Sequence, residues 1–131
     1  MPVPLFVTLA PPVARTVTGN GDPIDLTKFM DEYTSKPPGM LVQSNITSIS
    51  GTAPTITYVI EDSLDGGVTW NTVGTFIAQT TANRLVIQVF LSGVAQAAGF
   101  RWPFNARKVR ARWTVGGTTP SITGSVTAVL V

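Results

Sequence analysis

At 131 residues and 13.9 kDa the chain has the length of one domain, enough to bury a core without covalent staples. It contains no Cys and no His, which excludes disulfides, thiolate metal sites, cysteine nucleophiles and a Ser-His-Asp triad, and removes the usual general base near neutral pH. Charged residues are 12% of the chain, about half the ordinary share, with a net charge of only +2, so a β-rich module that works by contact is favoured over a hydrolytic enzyme.

Hydrophobic content is ordinary at 44%. Thr, with 19 copies, and Val, with 16, replace much of the missing charge, and both favour strands. A surface of Thr, Ser, Asn and Gly is easier to bury against another protein than a charged one. A neutral soluble β-domain and a subunit of a larger assembly both fit this composition.

Residues 1–14 hold four prolines, at 2, 4, 11 and 12, which forbid a helix and favour an extended arm. The absence of a basic n-region makes this stretch a poor signal peptide. Its apolar residues Val3, Leu5, Phe6, Val7 and Leu9 make it a candidate partner-binding arm, preceding a β-domain over 15–131. A short strand at 15–18 should end at Gly19-Asn20-Gly21-Asp22-Pro23, a turn cluster. Residues 24–36 are ambiguous between a strand at 24–26 with a helical turn at 27–33 and other arrangements. Lys36-Pro37-Pro38-Gly39 stops whatever precedes it.

From Met40 onward, strands are predicted at 40–50, 55–62, 68–78, 84–91, 107–115 and 121–130, each rich in Val, Ile, Thr or aromatics and bounded by Gly, Pro or Asn. Alternation places Ile56, Tyr58 and Ile60 on one face. It also sets Val109, Ala111, Trp113 and Val115 opposite Lys108, Arg110, Arg112 and Thr114. Six or more short strands at this spacing predict an all-β, single-domain β-sandwich, immunoglobulin-like or jelly-roll-like, or a barrel. No run approaches the roughly 20 apolar residues of a membrane-spanning helix.

Gly51-Thr52-Ala53-Pro54-Thr55-Ile56-Thr57 is echoed by Gly117-Thr118-Thr119-Pro120-Ser121-Ile122-Thr123, 66 residues later. Each unit reads as a hairpin connection, either because the halves are related or because a good turn is reused, the second being favoured. Ser63-Leu64-Asp65-Gly66-Gly67-Val68-Thr69-Trp70 fits S-x-D-x-G-x-T-W and resembles the Asp-box hairpin of sialidase-type propeller blades. Asp65 is expected to accept turn amides, Gly67 to give conformational freedom and Trp70 to pack beneath the turn. One copy cannot make a propeller, so the motif is structural. Glu61, Asp62 and Asp65 read as a solvated turn rather than a catalytic pair or calcium loop.

Charge divides along the chain. Residues 1–65 carry seven acids and three bases, a net of −4; residues 66–131 carry six bases and no acid, a net of +6. Lys108, Arg110 and Arg112 form a basic stripe on one strand face, with Arg101 and Arg107 nearby. Trp113 faces the other way, which weakens a nucleic-acid stacking platform. An acidic neighbouring strand, an acidic partner and an ordinary solvated face remain open for this stripe.

From about Gly51 to Val129 the chain resembles small virion proteins of tailed bacteriophages. The likeness lies in the GTAPT turn, the ITYVIEDSLDGGVTWNTVGTF hairpin, the KVRARWTVGGTTPSITGSV ending and the upstream Ile24-Asp25-Leu26. Proteins with this grammar are similar to capsid decoration (cement) proteins and other head-associated β-modules. The resemblance implies a non-enzymatic virion protein on the capsid surface, assembled in the host cytoplasm. Its partner would be the major capsid protein, and its own state a homo-oligomer, with a trimer as the implied form. No catalytic residue, cofactor, metal, membrane or direct nucleic-acid contact is expected. A tail-tube or head–tail connector protein and a glycan-binding module using Trp70, Trp102 and Trp113 are the alternatives.

Overall fold

The computed structural model describes residues 5–25, 39–90 and 108–130, with the backbone alone at Leu5 and Leu130. Val3, Leu26, Trp102 and the expected helical turn at 27–33 lie outside the described residues. All the described regular structure is β. The strands are β1 (Leu5–Arg15), β2 (Gly19–Asn20), β3 (Ile24–Asp25), β4 (Gly39–Ser63), β5 (Asn71–Thr75), β6 (Arg84–Phe90) and β7 (Lys108–Leu130). They form one antiparallel sheet in which β4 and β7 lie side by side. β5 and β6 pair with β4, and β1, β2 and β3 pair with β7.

The predicted strands 40–50 and 55–62 are a single strand of 25 residues, and 107–115 and 121–130 merge into one of 23. The echoed Gly-Thr-x-Pro units are therefore not hairpin connections. They are kinks within the two longest strands, and they face each other through the Thr52–Thr118 pair. Gly51 and Gly117 have φ of 116° and 104°, and Ala53 and Thr119 have φ of 48° and 44°. A Cβ on Gly51 would stand 2.8 Å from the Thr119 carbonyl oxygen; one on Gly117 would stand 2.6 Å from that of Ala53. Each kink thus fits only because the other contributes bare backbone at the crossing.

This reciprocity extends outward. Ile49 pairs with Ile122 and Ile56 with Val115, positions that exchange when 66 is added or subtracted. Beside Ile122 lies Arg15, and beside Ile56 lies Gln79, both buried polar residues. The sheet is approximately two-fold symmetric about Thr52–Thr118. One half is β4 followed by β5 and β6; the other is β7 flanked by β1, β2 and β3. The echoed units thus occupy equivalent places in the two longest strands.

Residues 5–15 are extended, as the prolines require, but they are the edge strand of the chain's own sheet. They run from Leu5 opposite Leu130 to Arg15 opposite Ile122. The register breaks between Thr8 and Val13, where Pro11 and Pro12 have no N–H to give to the ladder. Arg15 closes the break: its guanidinium donates to the carbonyls of Pro11 (2.6 Å), Val13 (3.1 Å) and Gly124 (2.5 Å).

The predicted alternation holds where the core forms. Ile56, Tyr58 and Ile60 are fully buried, as are Val109 and Ala111, with Trp113 and Val115 half-buried beside them. Val7, Leu9, Met40, Phe76, Ile122 and Val126 complete the same cluster. Burial pushes the Tyr58 phenol pKa up, against the opposing effect of the nearby Arg15 charge and hydrogen bond. Strand 68–78 is shorter than predicted. Residues 64–69 form the bend, and β5 begins only at Asn71.

Candidate functional site

The late start of β5 has a local cause. The Asp65 carboxylate accepts hydrogen bonds from the amides of Val68 (3.1 Å) and Thr69 (2.9 Å) and from the hydroxyls of Ser63 and Thr69. Those amides are thereby taken from any strand ladder. The Ser63 hydroxyl also accepts from the Gly67 amide at 2.8 Å, and the Trp70 indole N–H donates to the Gly67 carbonyl at 3.1 Å. These donors hold the Asp65 pKa well below the usual carboxylate range, led by the Thr69 hydroxyl.

The sign follows directly. A depressed folded-state pKa contributes stability that is complete above the unfolded value near 3.8 and is lost as pH falls through the folded value. Asp65→Asn is therefore expected to lower the melting temperature at pH 5–7, and the gap from wild type should narrow as pH drops below about 3.9. A gap that stays constant down to pH 2 would show that the ionised carboxylate is not what holds the turn.

The basic stripe has an acidic neighbour within the chain. Glu61 of β4 stands opposite Arg110 and diagonal to Arg112. Its carboxylate accepts from Arg110 Nε at 2.9 Å and Arg112 Nε at 3.2 Å, with the Glu61 side chain 9% exposed. The Arg110 guanidinium lies 4.0 Å from the centre of the Trp70 ring, a cation–π contact that ties the Asp-box hairpin to β7. The opposed charges of the two chain halves thus partly meet inside one sheet, and the stripe is not a free electrostatic patch. Lys108 is half-buried on the same face, with its stem near Gly67.

The expected arm divides in two. Val7 and Leu9 belong to the core, at 7% and 1% exposure, so as folded they cannot reach a partner. This corrects the reading of Val7 and Leu9 as partner-binding residues, because apolar side chains on one parity of a strand are buried by their own sheet when a pairing edge is available. Phe6, on the other parity, points outward and is 63% exposed. Trp70 and Trp113 both spend their indole N–H groups on the chain itself, Trp113 donating to the Val17 carbonyl at 3.1 Å. The Arg15 guanidinium covers the Trp113 ring at 4.4 Å.

Phe6 does not stand alone. The register sets Phe6, Val129, Leu41 and Gln88 in one row across β1, β7, β4 and β6, and Thr8, Thr127, Gln43 and Val86 in the next. Leu41, Val86 and Phe90 are 45%, 61% and 55% exposed. Phe6, Leu41, Gln43, Val86, Thr127 and Val129 line a shallow depression on this face. Leu41, Val86 and Phe90 were not singled out from sequence. The available signal was an excess of apolar residues on both parities: in Arg84–Phe90, Leu85, Ile87 and Val89 fill the inner face, leaving Val86 and Phe90 outside.

Among the described residues no cluster of three metal-ligating side chains occurs. Comparison with protein-family models and with curated proteins finds no match to this chain.

Proposed function

We propose that the protein is a non-enzymatic structural component of a tailed-bacteriophage particle, a capsid decoration protein that binds the outer shell and bridges neighbouring major capsid subunits. The observation that carries this reading is the outer face bearing Phe6, Leu41, Val86 and Phe90, with no charged residue in the rows through Phe6 and Thr8, in a chain with only 12% charged residues. Contiguous apolar surface of this kind is characteristic of proteins that work by burying it. The resemblance of the Gly51–Val129 region to head-associated phage β-modules supplies the partner. Within this reading the sheet, folded at the paired kinks, is a β-sandwich. In support, Gly74 of β5 packs against the side chains of Ile87 and Val89 of β6, and the Tyr58 hydroxyl reaches Gly124. Many weak contacts on one shell add through multivalency.

The test is co-sedimentation of the purified chain with empty shells of the phage that encodes it, followed by imaging of labelled copies. Label spread over the whole head is the expected result. Label confined to the tail or the portal vertex assigns the chain to a tail-tube or connector position and rejects decoration. Failure to sediment with any particle rejects the virion role.

A further inference from the structure

Of the five asparagines, only Asn20 is followed by glycine; the others precede Ile46, Thr72, Arg84 and Ala106. A glycine nitrogen has no side chain to hinder its approach to the preceding side-chain carbonyl, so Asn-Gly is the pair most open to succinimide formation. Asn20 is exposed in the two-residue strand β2, opposite Arg112. The Gly21 amide donates to the Ala111 carbonyl at 2.8 Å, and a Cβ on Gly21 would run into the Leu9 carbonyl oxygen. Gly21 therefore fills a slot between β1 and β7 that only glycine fits, and the labile pair comes with the packing.

Two features set how this pair reacts. While the Gly21 N–H is held by Ala111, the peptide after Asn20 cannot turn its nitrogen toward the side-chain carbonyl. Yet β2 is anchored lightly. Beyond its two paired residues, the Val115 amide donates to the Thr18 hydroxyl at 3.0 Å and the Trp113 indole N–H to the Val17 carbonyl at 3.1 Å. Short edge elements with exposed hydrogen bonds open locally at a small fraction of the global unfolding free energy. Asp65–Gly66 has the same spacing, but its carboxylate is ionised and takes four donors, and an ionised carboxylate offers no leaving group.

We propose that Asn20 is a site of spontaneous modification, converted through a succinimide to an aspartyl or isoaspartyl residue when β2 lifts from β7. The Gly21 nitrogen bonds to the Asn20 Cγ, the Cγ–Nδ2 bond breaks, and ammonia leaves with the proton of the Gly21 amide. Water then opens the ring. Attack at Cγ gives an aspartyl link; attack at the main-chain carbonyl gives an isoaspartyl link, with one extra methylene in the backbone. The lengthened link moves Gly21 out of its slot beside Leu9 and Ala111, so β2 does not re-dock. Neither a partner nor a particle enters this chemistry.

The test is incubation of the full chain at one mildly alkaline pH, folded and in concentrated guanidinium chloride, with peptide mapping by mass spectrometry and enzymatic labelling of isoaspartyl groups. Asn20 should be modified before the other four asparagines in both states. The folded rate should be about tenfold to about a hundredfold below the denatured one, as local opening requires. Thr18→Val, at an exposed position that loses only the bond to Val115, should raise the folded rate about fivefold, with the denatured rate unchanged. The isoaspartyl form, separated by ion exchange, should melt about 4 °C or more below the unmodified chain. Freshly prepared Asn20→Asp, which adds the charge beside Arg112 without the methylene, should melt with wild type. Equal folded and denatured rates, or earlier modification elsewhere, would overturn the proposal. So would no conversion of folded Asn20 within about a hundred denatured-state half-lives, a Thr18→Val rate equal to wild type, or an isoaspartyl form that melts unchanged.

Discussion

Deletion of residues 1–14 is expected to abolish cooperative folding. The truncation removes Val7, Leu9 and Ala10 from the core and strips β7 of its β1 neighbour over residues Thr123 to Leu130. Burial of a Val or Leu side chain contributes about 1.5–3 kcal/mol each, and the ladder hydrogen bonds of β1 are lost as well. A small domain has only about 5–15 kcal/mol of net stability to lose. The truncated chain should show no sigmoidal thermal transition by circular dichroism. A melting curve like that of the full chain would show that β1 is dispensable and would restore the free-arm reading. Pro2 and Pro4 precede the described residues, whereas Pro11 and Pro12 sit in the bulge that Arg15 closes. Arg15→Ala therefore gives a milder version of the same test.

Replacing Gly117 by Ala is expected to destabilise the protein by on the order of 3 kcal/mol, and Gly51→Ala by a similar amount. Two costs combine at each site. The backbone conformation, at φ of 104° or 116°, is one that a Cβ disfavours. The added methyl also meets backbone of the opposite kink, at 2.6 Å from Ala53 O for Gly117 and 2.8 Å from Thr119 O for Gly51. Since backbone atoms on a paired strand cannot rotate away as a side chain can, relief requires opening the Thr52–Thr118 crossing itself. The two sites share that crossing, so the double variant should cost less than the sum of the singles. Urea titration of the two single variants and the double measures all three values. Full additivity would mean that the kinks are independent turns, and the two-fold relation would lose its energetic basis.

Much of this fold is written locally. The Val, Ile, Thr and aromatic runs predicted as strands at 40–50, 55–62, 84–91, 107–115 and 121–130 are strand wherever they are described, because period-two patterning and turn chemistry depend on near neighbours. The Asp65 turn was legible for the same reason, since all its hydrogen bonds run between Ser63 and Trp70. The boundary error at 68–70 arose because Val and Thr carry strand propensity, while a carboxylate three or four residues away captures their amides.

What the sequence by itself determined is the kind of element, the inward parity of Ile56, Tyr58, Ile60, Val109 and Ala111, and the closed Asp-box turn. Only the tertiary structure decided which strand each one meets. It made the two Gly-Thr-x-Pro units a mutual crossing instead of two hairpins, gave β1 to β7 rather than to a partner, and set Glu61 against Arg110 and Arg112, 49 and 51 residues away. It also left Phe6, Leu41 and Val86 together on an open face. The physical reason is that side-chain alternation fixes which face a residue takes, whereas strand partners are chosen by burial and backbone pairing summed over the whole sheet, which no local window contains.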